Sequence, residues 1–313
     1  MKILVPRTFP LDLDLMPEDE VAAYDVSAPF ADDDADAEVL VVWGNTPENL
    51  ADAAARLTRL RWVQTLAAGP DAVLGAGFGP QVLVTSGRSL HDATVTEHTL
   101  ALVLAAVRRL DLLGAAQRER RWDTTLNRAQ ADPTTAQRYT LAGAHVVIWG
   151  FGSIAGRLAP LLSALGARVT GVANSAGERH GVPVVTRTDL PAVLADADLL
   201  VSLLPALPST RHALDAEVIG LLPSHAWFVN VGRGATVDET ALGDALRDGR
   251  LGGAALDVTE TEPLPADSPL WDAPNLVLTP HVAGNRPRGA AALVNDNLAA
   301  LRSGRELRNV VPR

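Results

Sequence analysis

Residues 144–172 read AHVVIWGFGSIAGRLAPLLSALGARVTGV. An apolar run, His145–Trp149, leads into Gly150-Phe151-Gly152-Ser153-Ile154-Ala155, which fits G-x-G-x-x-G/A. A helical stretch to Leu165 and a second apolar run, Ala167–Val172, follow. Strand, glycine turn, helix and strand in this order make a dinucleotide-binding α/β unit. Gly150 permits a tight turn, and Gly152 lets the backbone approach a pyrophosphate. The third position needs a small residue where helix packs on strand, here Ala155. N–H groups at the helix start hold the anion. Gly150, Phe151, Gly152, Ser153 and Ile154 are therefore candidate cofactor contacts.

The end of the second strand bears on which dinucleotide binds. An acid about 20 residues past the turn usually holds the ribose 2′-OH of NAD. Near Ala173 that position is empty. Asn174 and Ser175 can donate hydrogen bonds there, and Arg179 with His180 can meet a 2′-phosphate. The pattern favours NADP over NAD.

Working outward, short apolar runs alternate with helical stretches, which argues for α/β with parallel sheets. Strands are expected at Lys2–Val5, Glu38–Trp43, Trp62–Leu66, Val82–Thr85, Leu199–Leu204, Trp227–Val231, Gly253–Val258 and Leu276–Thr279. Helices are expected at Pro47–Leu57 and Arg288–Leu301. One long helix, Thr94–Leu113, is apolar nearly all round in its middle and should be buried. Arg118–Arg138 is polar and arginine-rich, and reads as an arm rather than a packed element. The acidic stretch Ala31–Glu38 reads as solvated.

The chain has 313 residues, 47% of them hydrophobic and 20% charged, enough for two domains with sizeable cores. It has no cysteine, which excludes disulfides, thiolate metal sites and thiol nucleophiles. Lys2 is the only lysine, so a buried Schiff-base lysine is not expected. A net charge of −10 argues against a nucleic-acid partner. No apolar run is long enough to span a bilayer, and no secretory leader is evident, so a cytoplasmic location is expected. No histidine or carboxylate cluster suggests a metal.

Three later segments carry chemistry. They are Asn230-Val231-Gly232-Arg233-Gly234, Leu256-Asp257-Val258-Thr259-Glu260-Thr261-Glu262-Pro263-Leu264 and Thr279-Pro280-His281-Val282-Ala283-Gly284. Each follows an expected strand, so all three should lie on the carboxyl edge of one sheet, where open α/β sheets bind ligands. Singly, each of these residues is an ordinary loop residue; together at strand ends they point to catalysis.

With these motifs, and with LLPALPSTRHAL at Leu203–Leu214, TEPLP at Thr261–Pro265 and SPLW at Ser268–Trp271, the chain resembles the D-isomer-specific 2-hydroxyacid dehydrogenase family. The likeness is strongest from about Leu141 to Gly284. It implies two Rossmann-like or flavodoxin-like domains, the cofactor domain (98–284) inserted into a substrate-binding domain (1–97 and 285–313). It implies hydride transfer between NAD(P) and a 2-ketoacid or D-2-hydroxyacid. Arg233 would bind the substrate carboxylate, His281 would be the acid–base, and Glu262 would orient His281 and raise its pKa. Glu260 is a rival acid two residues earlier, but the family places its acid directly before proline.

The resemblance also implies cofactor contacts at Leu204, Pro205, Thr210, Val231, Gly232, Asp257, Ala283 and Gly284. Asp257 would sit near the nicotinamide, unless it is a strand-end aspartate capping local N–H groups. Backbone N–H groups in Leu66-Ala67-Ala68-Gly69 would meet the substrate carboxylate. Trp43 and Gly44 would line the substrate pocket with Ala68 and Gly69. His98 reads as a buried structural residue, and His91 as a secondary candidate for the cleft. A homodimer through the cofactor domains is implied, with the Arg118–Arg138 arm as the place to look.

Three features depart from the family. Ala155 stands for the third glycine, Thr259 for an aromatic residue, and Asn285-Arg286-Pro287-Arg288 for a segment that commonly holds a threonine and an acid. The length leaves no room for an added regulatory domain. A second reading is a nucleotide-sensing, corepressor-like protein without significant turnover; the presence of Arg233, Glu262 and His281 argues against it. Glu262, where formate dehydrogenases have glutamine, argues against that activity.

Overall fold

A computed structural model of the chain describes residues 1–312. It divides into two compact units, Met1–His91 with the segment from Asn285 onward, and Asp92–Gly284. The second unit begins with the helix Asp92–Arg108.

The first unit holds β1 (Lys2–Pro6), β2 (Glu20–Tyr24), β3 (Val39–Val42), β4 (Trp62–Thr65) and β5 (Leu83–Thr85). All pair in parallel, in the order β2-β1-β3-β4-β5. Side chains alternate between two cores, as strand geometry requires. Leu4, Leu40 and Val63 face one; Ile3, Val39, Val41 and Trp62 face the other, beneath the C-terminal helix Ala290–Arg302. Burial on both faces explains why these strands read as apolar runs. Edge strand β2 was not expected: four of its five residues are not buried, so it lacks that signature. Buried polar groups link neighbouring strands to each other and to the C-terminal helix. Trp62 Nε1 donates to Thr85 Oγ1 at 2.7 Å, and Asn297 Nδ2 to Gln64 Oε1 at 2.9 Å.

The second unit has eight strands: β6 (His145–Trp149), β7 (Arg168–Val172), β8 (Gly177–Arg179), β9 (Val182–Val185), β10 (Leu199–Ser202), β11 (Trp227–Asn230), β12 (Gly253–Leu256) and β13 (Leu276–Leu278). Their order is β13-β12-β11-β10-β6-β7-β9-β8, and only the β8–β9 pair is antiparallel. Chain order reverses between β6 and β10, which makes their carboxyl ends a topological switch point. The short β8–β9 hairpin was not expected from the sequence.

The expected long helix Thr94–Leu113 is corrected to two helices, Asp92–Arg108 and Leu110–Arg118. Arg109 breaks them in a left-handed conformation, φ +53°. Its guanidinium forks onto Asp111 at 2.9 and 3.1 Å, reaches Asn275 Oδ1 at 2.8 Å, and lies 5.1 Å from the Trp227 ring centre. Those contacts outweigh continued helix. The arm is corrected too: it contains a helix, Thr124–Ala131, capped by Asp123 and anchored by buried Leu126.

Candidate active site

At the switch point the chain leaves β6 through Gly150, φ +99°. A Cβ there would stand 2.8 Å from the carbonyl of Leu203, so only glycine fits. Gly152 differs: a Cβ built on it meets nothing within 4 Å. It precedes the helix Ser153–Ala164 and offers no side-chain cap. Among the described residues nothing accepts from the N–H groups of Ser153 or Ile154. Open backbone donors, a helix dipole and free space beside Gly152 fit a pyrophosphate. Ala155 is fully buried against the sheet, as the third motif position requires.

This turn walls a cleft of about 610 Å³, also lined by Asn174, Arg179, Leu204, Pro205 and Thr210, all expected from the sequence. Among the described residues no acid lines it. Arg187, which sequence reading missed, lines it as well, its guanidinium 5.9 Å from the centre of the Trp149 ring. Ser175 is not part of the wall. Its hydroxyl and carbonyl accept from Arg179 Nη2 at 2.6 and 3.0 Å and so fix the guanidinium. The His180 ring packs at Gly156 instead of entering the cleft. Val231 and Ala283 are buried core residues, and neither they nor Gly232 and Gly284 line the cleft.

Beyond β13, the turn Thr279–Ala283 folds around Asp257, which is only 2% exposed. Asp257 Oδ1 accepts from Thr279 Oγ1 at 2.6 Å and from Val282 N–H at 3.0 Å; Oδ2 accepts from Ala283 N–H at 3.0 Å. His98 Nε2 lies 3.0 Å from Thr279 Oγ1 and 3.2 Å from Asp257 Oδ1. The Asp257 carboxylate thus caps the loop as a strut, and Asp257 also lines the pocket that holds Glu262 and His281. His98, a helix residue with no expected partner, belongs to the same network. His281 itself is left-handed, φ +49°, its N–H bonded to Asp257 O at 2.7 Å. Such a conformation costs about 1–3 kcal/mol and needs these surroundings to hold it.

His281 Nδ1 lies 2.6 Å from Glu262 Oε2, and Glu262 Oε1 accepts Thr259 N–H at 3.0 Å. Burial alone would raise the Glu262 pKa. The hydrogen bonds from His281 and Thr259, with the charges of His281 and Arg233, outweigh it and hold the carboxyl below its ordinary value. The rival acid Glu260 pairs with His212 instead. Its N–H donates to Glu239 Oε1 at 2.6 Å. Glu239 is shifted upward by burial, against that hydrogen bond and helped by the charges of Glu260 and Glu262.

Arg233 sits between glycines for a steric reason that the sequence did not disclose. A Cβ on Gly232 would come within 2.5 Å of Leu204 O, and one on Gly234 within 1.9 Å of the Thr259 carbonyl. Both obstacles are backbone. Arg233 Nη1 donates to Gly232 O at 2.8 Å.

In the first unit, Trp43, Gly44 and Gly69 line a pocket of about 410 Å³; Ala68 does not. Among the described residues nothing accepts from the N–H groups of Ala68 or Gly69. His91 is buried, its Nε2 2.8 Å from Leu66 O and its ring stacked on Trp43 at 5.4 Å.

Residues 100–283 match the sequence profile described as D-isomer specific 2-hydroxyacid dehydrogenase, NAD binding domain. The chain is 32% identical over 289 residues to glyoxylate/hydroxypyruvate reductase A of Salmonella paratyphi B, covering 88% of this chain and 86% of that one. The chain belongs to the D-isomer-specific 2-hydroxyacid dehydrogenase family. A dehydrogenase of the same family from Aeromonas salmonicida superposes with a TM-score of 0.83 at 29% identity, covering 99% of this chain and 98% of that one. The NADPH-dependent glyoxylate/hydroxypyruvate reductase of Sinorhizobium meliloti, solved with NADP and sulfate, gives 0.78 at 28% identity, with 99% and 97% covered.

This dehydrogenase is therefore an NAD(P)-dependent oxidoreductase with a Rossmann cofactor domain, and its glycine turn and open helix start fit the cofactor. Thr259, where the family carries an aromatic, lines a pocket of about 550 Å³ with Glu262, His281 and Trp271; the last drew no assignment from the sequence. Among the described residues no helix is long and apolar enough to cross a membrane, and no side-chain group is arranged to hold a metal.

Proposed function

We propose that this dehydrogenase interconverts small 2-ketoacids and D-2-hydroxyacids, with His281 as acid–base, Glu262 as its orienting partner and Arg233 binding the substrate carboxylate. The observation that carries this reading is the His281–Glu262 pair. Its hydrogen bond occupies Nδ1, and among the described residues Nε2 has no partner. That nitrogen is left to give a proton to a carbonyl oxygen or to take it back. A bound nicotinamide supplies the hydride. Arg233 offers a planar fork suited to a carboxylate. In the first unit, the open N–H groups of Ala68 and Gly69 suit an anion. Asp257 and His98 act as positioning residues for the His281 turn.

NADP is the preferred nucleotide in this reading. Two arginines and no acid line the cleft, and Arg179 is braced by Ser175. The Sinorhizobium relative holds NADP. A second copy of the chain is the partner assigned to the helical arm, where Trp122 is 88% exposed and lines one surface pocket with exposed Leu113.

The test is oxidation of NADPH and of NADH across a panel of 2-ketoacids. His281→Ala should lose about 10²–10⁴-fold in kcat. Arg179→Ala should lower the NADPH-to-NADH ratio of kcat/KM about tenfold or more. Nucleotide binding without turnover of any ketoacid would refute the catalytic reading.

A further inference from the structure

The loop Thr259–Pro263 carries Glu262 to His281 without an apolar anchor of its own. None of its residues is buried, although Val258 before it is 3% exposed. Bonds within the loop give it shape: Thr259 Oγ1 donates to Thr261 O at 2.9 Å, and Thr259 N–H to Glu262 Oε1 at 3.0 Å. Besides the His281 pair, its polar ties to the rest of the unit run through Glu260. The Glu260 carboxylate pairs with His212 at the surface, where an ion pair contributes little. The Glu260 N–H donates to Glu239 Oε1 at 2.6 Å, a bond strengthened by the acceptor's charge.

Glu239 stands on a fixed element. It opens the helix Glu239–Arg247, whose Leu242, Ala245 and Leu246 are buried. Asp238 caps that helix, its side chain accepting from Ala241 N–H at 2.9 Å, and its own N–H donates to Leu214 O at 2.9 Å. The electrostatic setting is unfavourable. The charges that face Glu239 are those of Glu260 and Glu262, and burial acts in the same direction. No charge from Ala216–Gly220 or Pro269–Asp272, the short helices packed on its own, is among them. Among the described residues no cation pairs with Glu239. A carboxylate kept beside two others, without a cation, is the kind of arrangement found at functional sites.

We propose that Glu239 is a positioning residue of the acid–base pair, anchoring the loop that presents Glu262 to His281. The proposal rests on the functional reading above. It adds a residue that lines neither the cofactor cleft nor the His281 pocket. Without the anchor, Glu262 spends less time at Nδ1, and the imidazolium loses part of the charge that stabilises it. Ketoacid reduction needs His281 protonated, so the alkaline limb of its pH profile then moves to lower pH.

The experiment compares Glu239→Ala with Glu239→Gln in ketoacid reduction across pH, beside wild type and His281→Ala. Both variants remove the same charge, but glutamine keeps an acceptor for the Glu260 N–H. A difference between their profiles therefore reports position alone. Glu239→Ala should lower kcat about tenfold and place the alkaline limb of kcat/KM about half a unit or more below that of Glu239→Gln. Glu239→Gln should keep kcat within about threefold of wild type. Glu239→Leu fills the same space without an acceptor and should behave as Glu239→Ala. Nucleotide Kd should stay within about twofold in all three, and Tm within a few degrees. Superimposed profiles for Glu239→Gln and the acceptor-free variants, or a fall in their Tm with kcat unchanged, would overturn this proposal. If His281→Ala is inactive in that case, the functional reading stands. Ketoacid turnover that survives His281→Ala, or none in wild type, would overturn both.

Discussion

Replacing Glu262 by glutamine removes a charge from the acid–base pair while preserving its shape. The Nδ1–Oε2 separation is 2.6 Å, and the His281 and Glu262 side chains are 47% and 33% exposed. Unit charges about 4 Å apart attract by about 1 kcal/mol in water and about 4 kcal/mol at an effective dielectric of 20. Exposure of this degree places the pair toward the lower end, near 2 kcal/mol after solvent screening. If that attraction stabilises the imidazolium through the chemical step, Glu262→Gln should lower kcat about 30-fold. Glutamine still accepts from Nδ1–H, so the ring keeps its orientation and nucleotide affinity should not change. The assay is ketoacid-dependent NADPH oxidation at pH 7, with nucleotide Kd measured separately. Glu260→Gln is the control: its partner is His212, and its loss should be within about twofold. A Glu262→Gln loss below about threefold, or an equal loss in Glu260→Gln, would refute the assignment of Glu262.

Three further outcomes follow from the geometry. Gly152→Ala places a methyl in open space, so Tm should hold while nucleotide Kd rises about tenfold; Gly234→Ala meets the Thr259 carbonyl and should lower Tm by several degrees and kcat with it. Burial works to raise the Asp198 pKa, but His145 N–H, the His225 ring and Arg138 together hold it below its ordinary value. A depressed carboxyl stabilises the fold above its unfolded value, about 3.9, and loses that contribution as pH falls through its folded value. The Tm deficit of Asp198→Asn should therefore be largest near pH 7 and narrow toward pH 3; a constant deficit across that range would contradict the assignment. Trp122→Glu should shift the protein to a smaller species in sedimentation, with ketoacid reduction measured alongside; an unchanged species would remove the arm from the interface.

Much of the fold was legible because most strands are buried on both faces and flanked by turns. β6 and β10 are fully buried along their length and read as unbroken apolar runs. The carboxyl ends of those strands then located the glycine turn and the three motif loops. What escaped reading depends on contacts distant in sequence. Nothing local marks Arg109 as a helix break; its reasons, Asn275 and Trp227, lie far along the chain. Arg187 was a lone arginine until the β8–β9 hairpin placed it over Trp149. The glycines around Arg233 read as part of a motif, yet their cause is the backbone of Leu204 and Thr259 pressing on them.

Those contacts bear on how the second unit keeps its chemistry in register. Arg233, Glu262 and His281 come from the ends of three different strands, and loops of this kind are ordinarily mobile. Here two buried contacts remove that freedom. Asp257 gathers Thr279, Val282 and Ala283, and thereby fixes the turn that carries His281 in its left-handed conformation. Gly234 lets the Arg233 loop seat directly against Thr259, whose N–H in turn grips Glu262. Within the second unit these contacts hold the His281 turn and the Arg233 loop in place, as the proposed acid–base pair and carboxylate-binding arginine would require.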